Sequence, residues 1–407
     1  MLLPALAGLA VLIGGLAPQS PLRDAISGAS PAGMELRLPV GYVLLSPFSR
    51  LFDTIGLLSS AQHIAIGVTS IAVTLLAVGW RPAQLPRRPR RMLATAAVSI
   101  GTLVIVYASA VALPRPMAML AVSDPDVVRV DFHSHTRYSH DARHGFTPEA
   151  NRAWHRAGGY DVAYISDHNS FTGAEEARLL NPRHGGDGTT LLSAFEGRYL
   201  GTFEIFLSLT EPDSAVLMDI HRQLHDGRLV SGRVPVSVAA LPTALSDVQA
   251  KARDGPPHIA AIEIVDGSPR GYAQQDRQGS DIIGLADSLG IALVVGSNNH
   301  GWGRVAPGWT LLSIPGWRTM VPDSLAAVIE STIRTSPRAV RAVERRRPTG
   351  MGLALAFTAP VVVAQILRAL SPAERLIWLV WILGVAFLWH RLRSRRVTLA
   401  IRKDAAT

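Results

Sequence analysis

Eleven of the chain's 13 histidines fall between His133 and His300, and the chain has no cysteine. Any metal bound here must therefore sit on imidazole, carboxylate or amide ligands. His133 and His135 are separated by one residue directly after a β-branched run, so both rings point the same way while the chain is still extended. His168 follows Asp167 after the next such run, and His300 closes the segment GSNNH after a further one. Polar groups gathered from the same ends of several strands suit a divalent ion, and imidazole with carboxylate is compatible with zinc, manganese or iron. Such an ion lowers the pKa of its water from 15.7 toward about 7, which supplies a nucleophile near neutral pH. Arg198 and Arg304 are candidates to hold phosphate oxygens bidentately. Asp167 can either orient an imidazole or assist proton transfer.

The elements that must position these groups read as strand–helix units. Strands are expected at 127–132, 161–166, 190–195, 202–209, 234–239, 259–265 and 291–295, with helices at 214–224, 281–289 and 323–333. Thr147, Pro148 and the Gly158-Gly159 pair should open and close one more helix. Repeated units of this kind favour a barrel or a doubly wound sheet. Segments 183–188 and 268–280 read as pocket loops. His155, His184, His221, His225 and His258 stand outside any pattern; His221 and His225 share a helix face at i, i+4 but lack the other groups of a helical zinc site.

The strings DFHSHTRYSHD, ISDHN, AFE, EIVDG and GSNNH, in that order over 130–302, resemble the polymerase-and-histidinol-phosphatase (PHP) superfamily. The resemblance implies an α/β fold, a distorted seven-stranded β/α barrel, with up to three metals at the C-terminal ends of its strands. It matches His133 and His135 to one metal, Glu196 to a bridging carboxylate, and Asp141, His168 and His300 to another metal, with His140 as the rival of Asp141. The sequence departs from the pattern in three places. Asn298 replaces an acid, Leu241 replaces a histidine, and Glu204 stands near the place of another. One or two tightly held ions are expected in place of three, with Asn298 as an uncharged ligand.

Hydrophobic residues make up 48% of the 407-residue chain and charged residues 17%, below the roughly 25% of soluble domains. The apolar excess is clustered. Residues 1–113 read as a membrane region with spans near 1–17, 64–80 and 92–113 and an interfacial stretch at 42–58. A linker (114–126) leads to the hydrolase domain (127–345), followed by a transmembrane hairpin (351–390), kinked at Pro360, and a basic tail (391–407). Much of the net charge of +9 is arginine beside these segments, with no interleaved aromatics, so nucleic acid is not an expected partner. A bacterial-type inner membrane is the expected location, and the hairpin favours a cytoplasmic domain. The expected activity is membrane-anchored, metal-dependent hydrolysis of a small phosphorylated or ester substrate. The alternative is a degenerate domain that senses or binds a ligand without turnover.

Overall fold

In the computed structural model, residues 2–79, 88–168, 170–199, 202–209, 236–254 and 259–404 are described. The expected helix at 214–224, with His221 and His225, lies outside them, as does His258.

The strands are β1 (Leu22–Asp24), β2 (Met34–Arg37), β3 (Met119–Val122), β4 (Val127–Ser134), β5 (Val162–Ile165), β6 (Thr190–Tyr199), β7 (Thr202–Leu207), β8 (Ser237–Ala239), β9 (Ile259–Asp266), β10 (Ala292–Gly296), β11 (Gly308–Ser313) and β12 (Arg341–Arg345). They do not form the expected seven-stranded β/α barrel. Ten of them make one mixed sheet in the order β1-β12-β11-β4-β5-β6-β7-β8-β9-β10, while β2 and β3 pair apart. The physical reason lies in connection length. Tyr199 pairs with Thr202, so β7 returns antiparallel on β6 without room for the crossover of a dozen or more residues that a parallel neighbour needs. Past β4, the antiparallel strands β11, β12 and β1 extend the sheet. Among the named strands of the described residues, parallel pairing is confined to β4-β5-β6 and β8-β9-β10. The sheet curls until the segment after β10 meets the end of β4 at a single bridge, Ser134 to Asn299.

Helix Pro148–Gly158 forms as its signals predict. Thr147 accepts from the Ala150 amide, Pro148 takes the first turn, and Gly159 closes the helix at φ +81°. The segment at 268–280 is not a loop: Ser268 caps helix Pro269–Leu289 by accepting from the Gly271 amide, and Pro269 again opens the first turn. One face of β4, Val128, Val130 and Phe132, joins a core with Val162, Tyr164 and Val294, closed by Leu325 and Ile329 of helix Pro322–Thr335. The opposite parity, Asp131 and His133, is left for the site.

Among the described residues, three helices, Arg90–Ala112, Gly352–Ala369 and Pro372–Ser394, are long and apolar enough to cross a membrane; Leu3–Gly14 and Ser60–Leu76 are shorter apolar helices. Pro360 does not kink its segment. A short 3-10 turn (Gly352–Phe357) precedes helix Thr358–Ala369, which puts Pro360 in a first turn, where a missing N–H costs little. Two of the polar residues that interrupt 42–58, Arg50 and Asp53, are buried and paired. Arg50 donates through Nε and Nη2 to Glu374, each at 2.7 Å. Asp53 accepts from Tyr42 Oη (2.8 Å), Arg115 Nη2 (2.9 Å) and Arg345 Nη2 (3.0 Å). Asp53→Ala would leave two buried guanidinium groups unpaired. A loss of about 3–5 kcal/mol is expected, read as a lower thermal midpoint of the detergent-solubilised protein.

Candidate metal centre

The end of β4 is built to aim two imidazoles at one point. A register shift between Asp131 and Ser134 bends the strand there, as bulges do beside sites. Helix Pro148–Gly158 braces it: Asn151 Nδ2 donates to Ser134 Oγ (2.6 Å) and to the His135 carbonyl (2.8 Å), and His155 Nε2 donates to Asp131 (2.7 Å). Each of the two histidines is fixed through one ring nitrogen. Carboxylates only accept, so His133 Nδ1 donates to Glu263 Oε1 at 3.0 Å. Ser139 Oγ donates to Asp167 (3.0 Å) and accepts from the His168 amide (3.0 Å), and His135 Nδ1 donates to it at 3.0 Å. Both Nε2 atoms are thus left as acceptors. They lie 3.0 Å apart, with Glu196 Oε2 at 3.1 Å from one and 3.3 Å from the other. Nitrogens about 2.0–2.1 Å from a tetrahedral zinc stand about 3.3 Å from each other. Two facing lone pairs beside a carboxylate repel unless a cation lies between them, so these residues fit a divalent ion.

A second group forms beside the first. His135, His168 and His300 offer nitrogens within 4.8 Å of one another. His300 Nδ1 donates to the Asn298 carbonyl (3.0 Å), which leaves Nε2 without a hydrogen-bond partner, 3.2 Å from Asp141 Oδ1. His168 places Nδ1 3.3 Å from Glu196 Oε2 and Nε2 3.8 Å from Asp141 Oδ2. Glu196 Oε2 therefore stands between the groups. His140 is exposed, its ring 5.4 Å from that of His168, and forms no carboxylate pair among the described residues.

The remaining candidates sit farther out. Asp167 is occupied by the Thr136 amide and hydroxyl, both at 2.6 Å, and by Ser139, so it holds the 136–139 turn in place. Arg198 is exposed, 6.0 Å from the Phe203 ring centre. Arg304 is half-buried and its Nε has no partner. Glu204 is engaged by Lys251 (2.7 Å) and Ser237 (2.8 Å), away from the histidines. Asn298 takes φ +45°, donates Nδ2 to Asp266 Oδ2 (2.9 Å), and leaves Oδ1 unpaired.

Sequence reasoning missed Glu263 and Asp266, although both lie in EIVDG at the end of β9. Together with His133 they form a third set of candidate donors. We read these two as supports, because His133 Nδ1 already carries the hydrogen that Glu263 accepts. Leu241, which replaces a histidine of the resembled pattern, uses its amide to donate to Glu263 Oε2 at 2.7 Å. Gly296 is required here, since a Cβ would collide with the Glu263 carboxylate and come within 2.6 Å of His133 Cβ.

Burial alone would lower the His133 pKa, but the charges of Glu196 and Glu263 outweigh it and hold the ring well above the usual imidazole range. Burial pushes Glu263 up to about 8, against the pull of His133 and with a further push from Asp266. Burial also holds His135 well below the usual range and lowers His300. Glu196, despite its burial, is kept well below the carboxylate range by His133 and His135.

No protein-family model matches the chain, and no curated relative matches it. Solved structures give distant likenesses. PsfC from Pseudomonas syringae PB-5123 shares 16% identity over 58% of this chain and 96% of its own, with a TM-score of 0.34. A candidate metal-dependent phosphoesterase from Bifidobacterium adolescentis shares 14% identity over 49% of this chain and 95% of its own, with a TM-score of 0.31. An amidohydrolase from Chromobacterium violaceum, solved with sulfate and no metal, shares 16% over 49% and 96%, also with a TM-score of 0.31. At such values the likeness assigns neither family nor activity.

An ion entering this centre must displace protons held by groups whose pKa values are raised. Those groups compete below their pKa and stop competing above it. Metal affinity is therefore expected to climb with pH through the range in which His133 and Glu263 lose their protons. Glu263→Gln should weaken affinity by about 10–100-fold and flatten the climb; chelator-competition titrations across pH measure both.

Proposed function

We propose that the chain is a membrane-anchored, metal-dependent hydrolase of the PHP type, acting on phosphate esters. The observation that carries this reading is the convergence of His133 Nε2, His135 Nε2 and Glu196 Oε2 within 3.3 Å of one another. His133, His135 and Glu196 would hold one ion; His168, His300 and Asp141 would hold a second, with Glu196 between them. A bound divalent ion supplies Lewis acidity, which acidifies water and offsets charge building on an attacked oxygen.

The chain's own groups do the rest. Glu263 and Ser139 keep His133 and His135 in the tautomer that presents Nε2. Asp167 positions Ser139 and, through Thr136, the turn that carries Asp141 toward His300. Asp141, about half exposed, marks the open side from which substrate arrives. Zinc, manganese and iron all suit this donor set, and a hard carboxylate in each group keeps the choice open.

A second reading, ligand binding without turnover, is favoured by Asn298. Its side chain brings no charge to the place where the resembled family carries an acid. Metal analysis and turnover of full-length, detergent-solubilised protein separate the two. Stoichiometric metal with hydrolysis of an aryl phosphate is expected; chelation should remove the hydrolysis, and zinc, manganese or iron should restore it. His133→Ala should lower turnover by about 10³-fold or more, as loss of an ion that activates the nucleophile would. Bound metal with no turnover on any phosphate or carboxylic ester would favour the second reading, and absence of metal would remove both.

A further inference from the structure

The loop that follows His300 is fastened to the end of a candidate span. Gly303 N donates to the Val111 carbonyl at 3.1 Å, and Val111 lies in the last turn of helix Arg88–Ala112. A cavity of ≈ 390 Å³ opens at this junction. Phe52, Ile55 and Val111 give it apolar lining, and Asn298, Trp302 and Arg304, of the loop that carries His300, line it as well. Arg304 contributes a guanidinium whose Nε has no partner, and the nearby Arg115 is already engaged by Asp53 and the Ala110 carbonyl. Burial, and then the charge of Arg115, lower the Arg304 pKa, so an anion there would be favoured. The cavity thus joins an unpaired cation to apolar surface at a helix end suited to a membrane face.

We propose that this cavity takes an amphiphilic phosphate ester, with its phosphate toward Arg304 and its hydrocarbon chain against Phe52 and Val111. The proposal rests on the hydrolase reading for turnover, but binding can be tested without it. Dodecyl phosphate, titrated calorimetrically into full-length protein in neutral detergent, is expected to bind at least about tenfold more tightly than inorganic phosphate. Val111→Trp, which fills the apolar wall, should erase that preference while inorganic phosphate still binds. Arg304→Gln should weaken both ligands. Equal affinities for the two ligands, untouched by Val111→Trp, would overturn the cavity's role while leaving a hydrolase of soluble esters in place. A retained chain preference in protein that hydrolyses no ester would uphold the cavity and remove the hydrolase.

A separate observation bears on the side of the membrane. The Asp53 and Arg50 pairs draw Arg115, Arg345 and Glu374 to one end of the helices, so helix Pro372–Asp404 begins where helix Arg88–Ala112 has just ended. As spans of one bilayer, both must run away from that shared end. Their far ends then carry Arg88, Arg90 and Arg91 on one helix and Arg391 and Arg393 on the other, with more arginine following in sequence. Short basic flanks stay in the cytoplasm, whereas a long domain crosses regardless of its charge. We infer that the metal centre faces away from the cytoplasm, opposite to the side that the hairpin expectation favours.

Because the chain lacks cysteine, single replacements report cleanly. Ser280→Cys in the domain should react with a membrane-impermeant maleimide on intact spheroplasts. Ser394→Cys should react only after permeabilisation. The reverse pattern would overturn the assignment.

Discussion

Two imidazole nitrogens held face to face beside a carboxylate set the demand that the rest of the site meets. Neutral His133 and His135 would repel at 3.0 Å, and neither can turn away. Glu263 holds one ring, Ser139 holds the other, and Asp167 holds Ser139. The tension is resolved by a positive charge at the shared point: the charges of Glu196 and Glu263 hold His133 well above the usual imidazole range, and a divalent ion there would also use Glu196. The carboxylates around this point are arranged on the same logic. Glu196 faces the ligand atoms, whereas Glu263 and Asp266 face the back of His133 from buried positions on β9.

That arrangement requires several separate elements to hold still together. The turn after β4, the end of β6, the end of β9 and the loop after β10 each bring one part, and the Gly296 backbone leaves the gap through which Glu263 reaches His133. Asn298 serves the same purpose in a less usual way. Its positive φ turns the amide back onto Asp266 while its own N–H donates to the His133 carbonyl at 2.8 Å, tying the loop to β4. The backbone strain of a non-glycine residue in that region is thus offset by bonds on both sides.

The apolar helices are joined to this frame by charge as well as by packing. Asp53 gathers Tyr42, Arg115 and Arg345, and Arg50 meets Glu374 as a two-pronged pair, all buried. Such groups are costly to bury unless every partner is present, so the network favours one arrangement of helix ends against the sheet. The Gly303 to Val111 bond adds a direct backbone link between one of those ends and the loop that carries His300.

The donors were legible because their chemistry is local. An HxH after a β-branched run, a DH after the next, and a closing histidine mark side chains that leave strand ends together, and alternation alone settles that His133 faces away from Val130 and Phe132. The cap signals of helix Pro148–Gly158 were equally local. The supports were not legible, since Glu263 reaches His133 across 130 residues and the partner that fixes its other oxygen is the Leu241 amide, whose side chain carries no trace of that role. Strand count and order were likewise beyond reach. Whether a β-run joins as a parallel or an antiparallel neighbour depends on the connection before it, and the short return at β7 and the late strands β11 and β12 are ordinary in sequence. The sequence by itself determined which atoms could bind an ion and which segments avoid water, because both follow from residue type and spacing. Only the tertiary structure decided which carboxylates face the converging imidazole nitrogens and which sit behind them, and where the apolar helices meet the site, because those follow from distances between residues far apart in the chain.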